Sequence, residues 1–204
     1  MRVNQQKALK IVLTIVMLVL GVCCIYPFLF MVSSSFKPSG DVLSTPLQLI
    51  PKHFTLNNFN TLFNNEYYDF FRWYGNTILM TGLTLVLKYI IITITAYGFA
   101  KMNFPGRDTI FLVLLAGLMI PSDIMIMPRY IIFKQLHILN TMWSLILPAA
   151  VDVYFVFLLR QAFIAVPNAL SEAARIDGCG HFRIYRQIVL PLCGPQVSTM
   201  LLFS

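Results

Sequence analysis

The sequence predicts an all-α, polytopic membrane protein, and three observations carry that reading. Of its 204 residues, 58% are hydrophobic and only 11% are charged, whereas soluble domains carry about 25% charged residues. The apolar runs are long: residues 11–32 contain no charge over 22 positions, and about 20 apolar helical residues cross a hydrocarbon core of roughly 30 Å. The basic residues, which set a net charge of +7, fall mostly between those runs. A soluble helical bundle would show polar helix faces, and these runs show little of one. Basic residues in a membrane protein set topology and meet anionic lipid headgroups, so the charge is read as contact with membrane lipid and not with nucleic acid.

The first span is expected over 11–32. Arg2, Lys7 and Lys10 precede it, as basic residues precede a signal peptide. A signal h-region, however, is only about 7–15 residues long, and no Ala-x-Ala site follows. Val22 is also large for a residue before a lipid-modified Cys23. An uncleaved span is expected. Residues 33–74 are polar and Asn-rich, broken by Pro38, Pro46 and Pro51; they read as an external surface loop with a short amphipathic helix over 56–63. Further spans are expected over 76–100, with Lys88 inside it, over 109–127 and over 142–159. A loop follows at 160–192. The last apolar segment, 195–204, covers about half a bilayer at a rise of about 1.5 Å per residue and counts as a partial fifth span. One domain is expected over 1–204, and no internal repeat is visible, which weakens an inverted-repeat transporter reading.

With the N-terminus in the cytoplasm, nine Lys and Arg side chains lie inside (Arg2, Lys7, Lys10, Lys101, Arg107, Arg160, Arg175, Arg183 and Arg186) against five outside (Lys37, Lys52, Arg72, Arg129 and Lys134). That bias favours an N-terminus-in topology. Lys101 and Arg107 flank Phe104-Pro105-Gly106 in a tight inner turn, and the 160–192 loop is then cytoplasmic too. Cys179 and Cys193 fall in or near that reducing side, and free thiols are expected throughout. His53, His137 and His181 are scattered across both faces and cannot share a metal. No GxSxG, HExxH or Walker glycine loop occurs, so no catalytic residue and no metal ligand is expected.

The cytoplasmic loop carries the functional signal. Pro167 closes the preceding segment, Asn168 is a candidate helix cap, and residues 169–176 read as about two helical turns. Ala173 and Ala174 leave a low surface that another protein can approach, and Glu172 offers a carboxylate to a partner's arginine. Gly178 suits the left-handed position just past a helix end. A second helix is expected over 180–190 with Phe182, Tyr185, Ile188 and Val189 on one stripe, ended by Pro191, and Pro195 opens the last span.

Glu172, Ala173, Ala174, Gly178, Ile188, Leu190 and Pro191 together match the EAA signature of ABC importer permeases at every anchor. Phe157-Leu158-Leu159-Arg160-Gln161, Glu172-Ala-Ala-Arg-Ile-Asp-Gly178, Ala96-Tyr97-Gly98-Phe99-Ala100-Lys101, Phe104-Pro105-Gly106-Arg107 and Leu139-Asn140-Thr141 resemble the carbohydrate-uptake branch, in particular the maltose-permease-like second subunit. The resemblance covers nearly the whole chain. It implies a type I ABC importer transmembrane domain with about five of six expected spans present, C-terminally truncated. It also implies that Glu172, Ala173, Ala174, Asp177, Gly178, Ile188, Leu190 and Pro191 couple the chain to a cytoplasmic ABC ATPase dimer in the bacterial cell membrane. ATP would be bound by that partner and by no group of this chain. A second, non-identical permease subunit and an extracellular or periplasmic solute-binding protein would complete the importer, and the imported molecule would be a sugar.

Charges inside a membrane mark functional interiors. Asp152 lies one turn beyond Pro148, whose missing N–H leaves a helical carbonyl without its partner. Asp152 and Tyr154 could therefore line the substrate pathway, with Phe155 nearby to stack on a sugar. The other reading open at this point pairs Asp152 with a neighbouring helix, Lys88 being the obvious partner. A partner-independent channel or secondary carrier using Lys88 and Asp152 as an ion relay is the alternative function; it leaves the EAA pattern unexplained.

Overall fold

The computed structural model describes residues 2–44, 48–67 and 69–204; Pro46, expected to interrupt the outer segment, lies outside them. Among the described residues there are helices and turns and no strand. Contacts divide the chain into two compact units, Met1–Tyr74 and Gly75–Ser204, where the sequence led to one domain over 1–204.

In the first unit, α1 (Arg2–Ser35) contains an apolar stretch, Leu9–Ser35, long enough to cross a membrane. Its large side chains, including Met17, Leu18, Phe28 and Met31, stay exposed, as a helix facing lipid permits because acyl chains are as apolar as leucine. Residues 33–74 hold more helix than the surface loop expected there. They include α2 (Ser39–Ser44) and α3 (Asn57–Phe63). Phe36 stacks on Phe54 with centroids 5.2 Å apart and meets Phe59 at 5.4 Å, while Phe63 stacks on Phe71 at 5.1 Å. Asn58 Nδ2 donates to the carbonyls of Ser35 and Lys37 at 3.0 and 2.8 Å, satisfying acceptors orphaned at the end of α1. These rings come from separate short segments, so helical periodicity could not reveal that they stack.

α4 (Phe70–Lys101) starts six residues before the expected 76–100 span. Asp69 explains the start: its Oδ1 accepts from the Arg72 N–H at 3.0 Å, the geometry of an N-cap. The helix stops before Pro105-Gly106, where Gly106 takes a φ of 78°. The stretch expected to span over 109–127 is broken instead. α5 (Arg107–Ala116) runs into a 3₁₀ turn (Gly117–Met119), Ile120 becomes extended, and α6 (Ile126–Gln135) begins after the Pro121 turn. Pro121 explains the break, because a residue before proline is driven out of the helical region. Among the described residues, the helical stretches long and apolar enough to cross a membrane are Leu9–Ser35, Phe70–Lys101 and Trp143–Ala165.

Asn140, in the tight turn after α6, has a φ of 60°, a left-handed conformation that asparagine tolerates better than most residues. α7 (Trp143–Ala150) and α8 (Val153–Ala165) follow, separated by two extended residues, so this stretch reaches beyond the expected 142–159. The core of the second unit gathers Ile92, Ala96 and Phe99 of α4, Phe111 of α5, and Phe155, Leu159 and Phe163 of α8. The chain's last helices close it with Ile184, Val189 and Met200.

Candidate coupling loop and membrane-embedded ion pair

α9 (Asn168–Ile176) carries the Glu-Ala-Ala triplet. Asn168 is not its cap. It occupies the first helical position, and its Oδ1 accepts from Lys101 Nζ at 2.7 Å, while the same amine donates to the Val166 carbonyl at 2.6 Å. Glu172 and Ala173 are exposed, and Ala174 is buried in the core of the second unit. The end of α9 is a Schellman motif: Gly178 N–H donates to the Arg175 carbonyl at 3.0 Å and Cys179 N–H to the Ala174 carbonyl at 2.8 Å. Asp177 is the exposed C-cap, and Gly178 has a φ of 81°, which a residue without Cβ adopts at little cost.

Helix resumes as α10 (His181–Ile184), widens into a π-helical turn (Tyr185–Val189) and continues as α11 (Leu190–Leu192). Pro191 therefore does not end the helix as expected. Proline lacks an N–H and its ring crowds the carbonyl four residues back; the wider turn before it leaves room for the ring. The chain then enters α12 (Gly194–Leu202), with Pro195 in its first turn. The buried face consists of Ile184, Tyr185 and Val189, with Ile188 and Leu190 half-buried beside them. Phe182, expected on that stripe, is 66% exposed, and Pro191 is exposed as well.

Two polar clamps tie the loop region to the C-terminal end of α4 and the start of α5. One is the Lys101 bridge to Val166 and Asn168. In the other, Arg160 Nε donates to the Phe99 carbonyl at 3.2 Å, its Nη2 reaches Asp108 at 3.4 Å, and its guanidinium lies 4.2 Å from the Phe111 ring centroid. The hydrogen bond from Arg107 holds the Asp108 carboxyl below the usual carboxylate range, and the charges of Arg107 and Arg160 add to the effect. Burial pushes the Tyr185 hydroxyl and the Cys193 thiol up from their ordinary values. Lys101, Arg107, Ser171, Glu172 and Arg175 line a polar cleft of about 210 Å³ between these clamps and α9.

Asp152 and Lys88 meet. Lys88 Nζ lies 3.5 Å from Asp152 Oδ2 and 5.0 Å from the Phe155 ring centroid, and Lys88 is 6% exposed. The helix break comes at Val151 and Asp152, three residues past Pro148 and not at it. Asp152 is the N-cap of α8: its Oδ1 accepts from the Tyr154 N–H at 3.0 Å. Tyr154 itself is 54% exposed, and its ring packs edge-on against Phe155 at 5.3 Å. The cysteines are free, and among the described residues no group of three His, Cys, Asp or Glu side chains could hold a metal ion.

Sequence reasoning found the Gly178 turn and the Lys88–Asp152 pairing as one of two options. It missed Thr93, Arg160 and Lys101 as tethers. Tyr89, Thr93 and Tyr97 do recur every four residues, a polar stripe on an otherwise apolar helix, and that was the available signal.

Long apolar helices, a short surface helix bearing Glu172 and a lysine–aspartate pair joining two stretches long enough to cross a membrane define a helical membrane protein. Residues 89–204 match the family model of the binding-protein-dependent transport system inner membrane component, and the chain belongs to that family. It is 35% identical over 190 residues to the arabinooligosaccharides transport system permease protein AraQ of Halalkalibacterium halodurans, covering 92% of this chain and 68% of that one. It is 32% identical to the diacetylchitobiose uptake system permease protein NgcG of Streptomyces coelicolor, covering 90% of this chain and 61% of that one. The fold is shared with a solved bacterial ABC transporter involved in the import of the acidic polysaccharide alginate. The TM-score is 0.86 at 22% identity, covering 98% of this chain and 70% of that one.

Proposed function

We propose that this chain is the transmembrane permease subunit of an ATP-driven sugar importer in the bacterial cytoplasmic membrane, N-terminus inside. It forms half of a translocation pore with a second, non-identical permease, receives sugar from an external solute-binding protein and is driven by a cytoplasmic ATPase dimer. The observation that carries this reading is the form of α9: Glu172 and Ala173 face out while Ala174, next along, is buried with residues of α4 and α8. A helix so placed offers one face to a partner and moves as a body with the membrane helices. Several relatives carry names of oligosaccharide transport systems, which supports a sugar as the cargo.

In this reading Glu172, Ala173, Ala174, Asp177, Gly178, Ile188, Leu190 and Pro191 make up the coupling segment. Glu172 meets a basic group in a cleft of the ATPase. ATP-driven closure of the ATPase dimer displaces the segment, and the attached helices rock between inward- and outward-open arrangements. Lys88, Asp152 and Tyr154 line the sugar's route, where a carboxylate accepts hydroxyl protons and aromatic faces cover the ring.

The test is co-purification of this chain with an importer ATPase subunit encoded beside it, comparing wild type with Glu172→Arg. Retention by wild type and loss in the variant is the expected result. Equal retention by both would remove Glu172 from the dock.

A further inference from the structure

Tyr185 opens the π-helical turn and is almost fully buried. Its hydroxyl lies 2.7 Å from Thr93 Oγ1 on α4, across 92 residues of sequence. Thr93 is fully buried and spends its single hydroxyl proton on the Tyr89 carbonyl at 2.5 Å. A threonine hydroxyl has one proton and two lone pairs, so Tyr185 is the donor and Thr93 the relay. One helical turn further along α4, Tyr97 closes the slot, with its ring 5.3 Å from that of Tyr185 and tilted by 60°. The slot is thus built from Tyr89, Thr93 and Tyr97 at four-residue spacing, one face of a helix.

The wide turn supplies what an ordinary helix would not. Five residues of π-helix carry Tyr185 and Val189 into the core and let the chain pass Pro191 without ending. Single π-turns within helices concentrate at functional positions.

We propose that the Tyr185–Thr93 hydrogen bond is the joint that delivers displacement of the coupling segment to α4. This deepens the coupling reading above and rests on it. Tyr185 is a positioning residue: it touches neither ATP nor sugar. When the bond is lost, the Lys101 bridge still links the end of α4 to the entry of α9, so the response of α4 weakens and is not abolished.

The experiment is hydrogen exchange on the permease in its assembled importer complex, with and without Mg-ATP and vanadate, for wild type, Tyr185→Phe, Thr93→Val and the double variant. In wild type, peptides over 168–178 and over 89–101 both change protection on trapping. In Tyr185→Phe the 168–178 response stays and the 89–101 response falls at least threefold. The double variant is no worse than the more affected single variant, because the two changes remove one bond. Wild-type responses in both peptides of Tyr185→Phe would overturn the joint while leaving the coupling reading intact. Additive losses in the double variant would overturn it as well. Faster exchange in both peptides without nucleotide would mark Tyr185 as a packing residue only. If neither peptide of wild type responds, the coupling reading itself fails and the joint with it.

Discussion

The Lys88–Asp152 pair makes an asymmetric prediction. The Lys88 side chain is 8% exposed, whereas the Asp152 side chain retains 34% of its accessible surface. Removing one partner of a buried ion pair costs about 3–5 kcal/mol because it strands the other charge. The 3.5 Å separation exceeds the roughly 2.7–2.9 Å of a strong charged hydrogen bond, and part of the Asp152 surface is open, so a value at or just below the bottom of that range, about 2–3 kcal/mol, applies to stranding Lys88. Asp152→Ala also loses the N-cap of α8, worth about 1 kcal/mol, for a total of about 3–4 kcal/mol. Asp152→Asn keeps the cap and costs about 2–3 kcal/mol. Lys88→Met strands only a carboxylate that still accepts from Tyr154 N–H and is partly open at its surface; it costs about 1 kcal/mol or less. The assay is thermal denaturation of the purified membrane protein followed by fluorescence-detected size exclusion. At about 2–4 °C per kcal/mol for a chain of this size, Asp152→Ala drops the midpoint by about 6–16 °C and Lys88→Met by under about 4 °C. The double variant Lys88→Met/Asp152→Asn recovers most of the Asp152→Asn loss. Equal drops for Lys88→Met and Asp152→Ala, or no recovery in the double variant, would refute the assignment of Lys88 as the stranded charge.

Three further outcomes follow from local geometry. Gly178→Ala meets no atom within 4 Å, so its whole cost is the left-handed backbone, about 1–2 kcal/mol; Gly178→Asn costs less, and thermal midpoints rank the two. Arg160→Met forfeits its stacking on Phe111 and leaves the Phe99 carbonyl without its donor, for about 1–2 kcal/mol, while Arg160→Lys recovers only part because an ammonium lacks the planar fork. The Asp108 carboxyl has a folded pKa below its ordinary value, with the Arg107 hydrogen bond as the leading cause. Its contribution is therefore complete above the unfolded pKa and lost as pH falls through the folded one. Amide exchange over 102–110, corrected for intrinsic rates, rises below about pH 4 in wild type and shows no such step in Asp108→Asn.

The legible features were those written in one stretch of chain. A charge-free run reads as a membrane helix, and Glu172-Ala-Ala followed by Gly178 reads as a helix end with a left-handed stop, because caps depend on neighbours within six residues. Pro121 was legible in principle, yet the high hydropathy of 109–127 hid it: apolar composition reports solubility in lipid, not backbone continuity. Pro191 misled in the opposite direction. The turn before Pro191 widens over Tyr185–Val189, where Tyr185 meets Thr93 and Tyr97 of α4, and no local pattern encodes that meeting. The Phe36–Phe54–Phe59 stack and the Tyr185–Thr93 bond join residues from distant segments, and a single sequence records each half without the pairing.

α4 gives the proposed mechanism its physical length. Lys88, Thr93 and Lys101 lie along it, and each meets a different element: Asp152 at the start of α8, Tyr185 in the π-helical turn, and Val166 with Asn168 at the entry to α9. Thirteen positions separate Lys88 from Lys101, about 20 Å at 1.5 Å per residue. A helix is stiff over that distance, so a shift at its Lys101 end reaches the ion pair without any chain of side-chain rearrangements. The same geometry argues against a relay that works alone. Asp152 holds the start of α8 with one oxygen and Lys88 with the other, so a relay that swung the carboxylate away from Lys88 would also pull on the first turn of α8. A carrier cycle would have to bear that cost in every turnover. In a driven permease the pair can stay in contact, and movement of α4 supplies the change at the pathway.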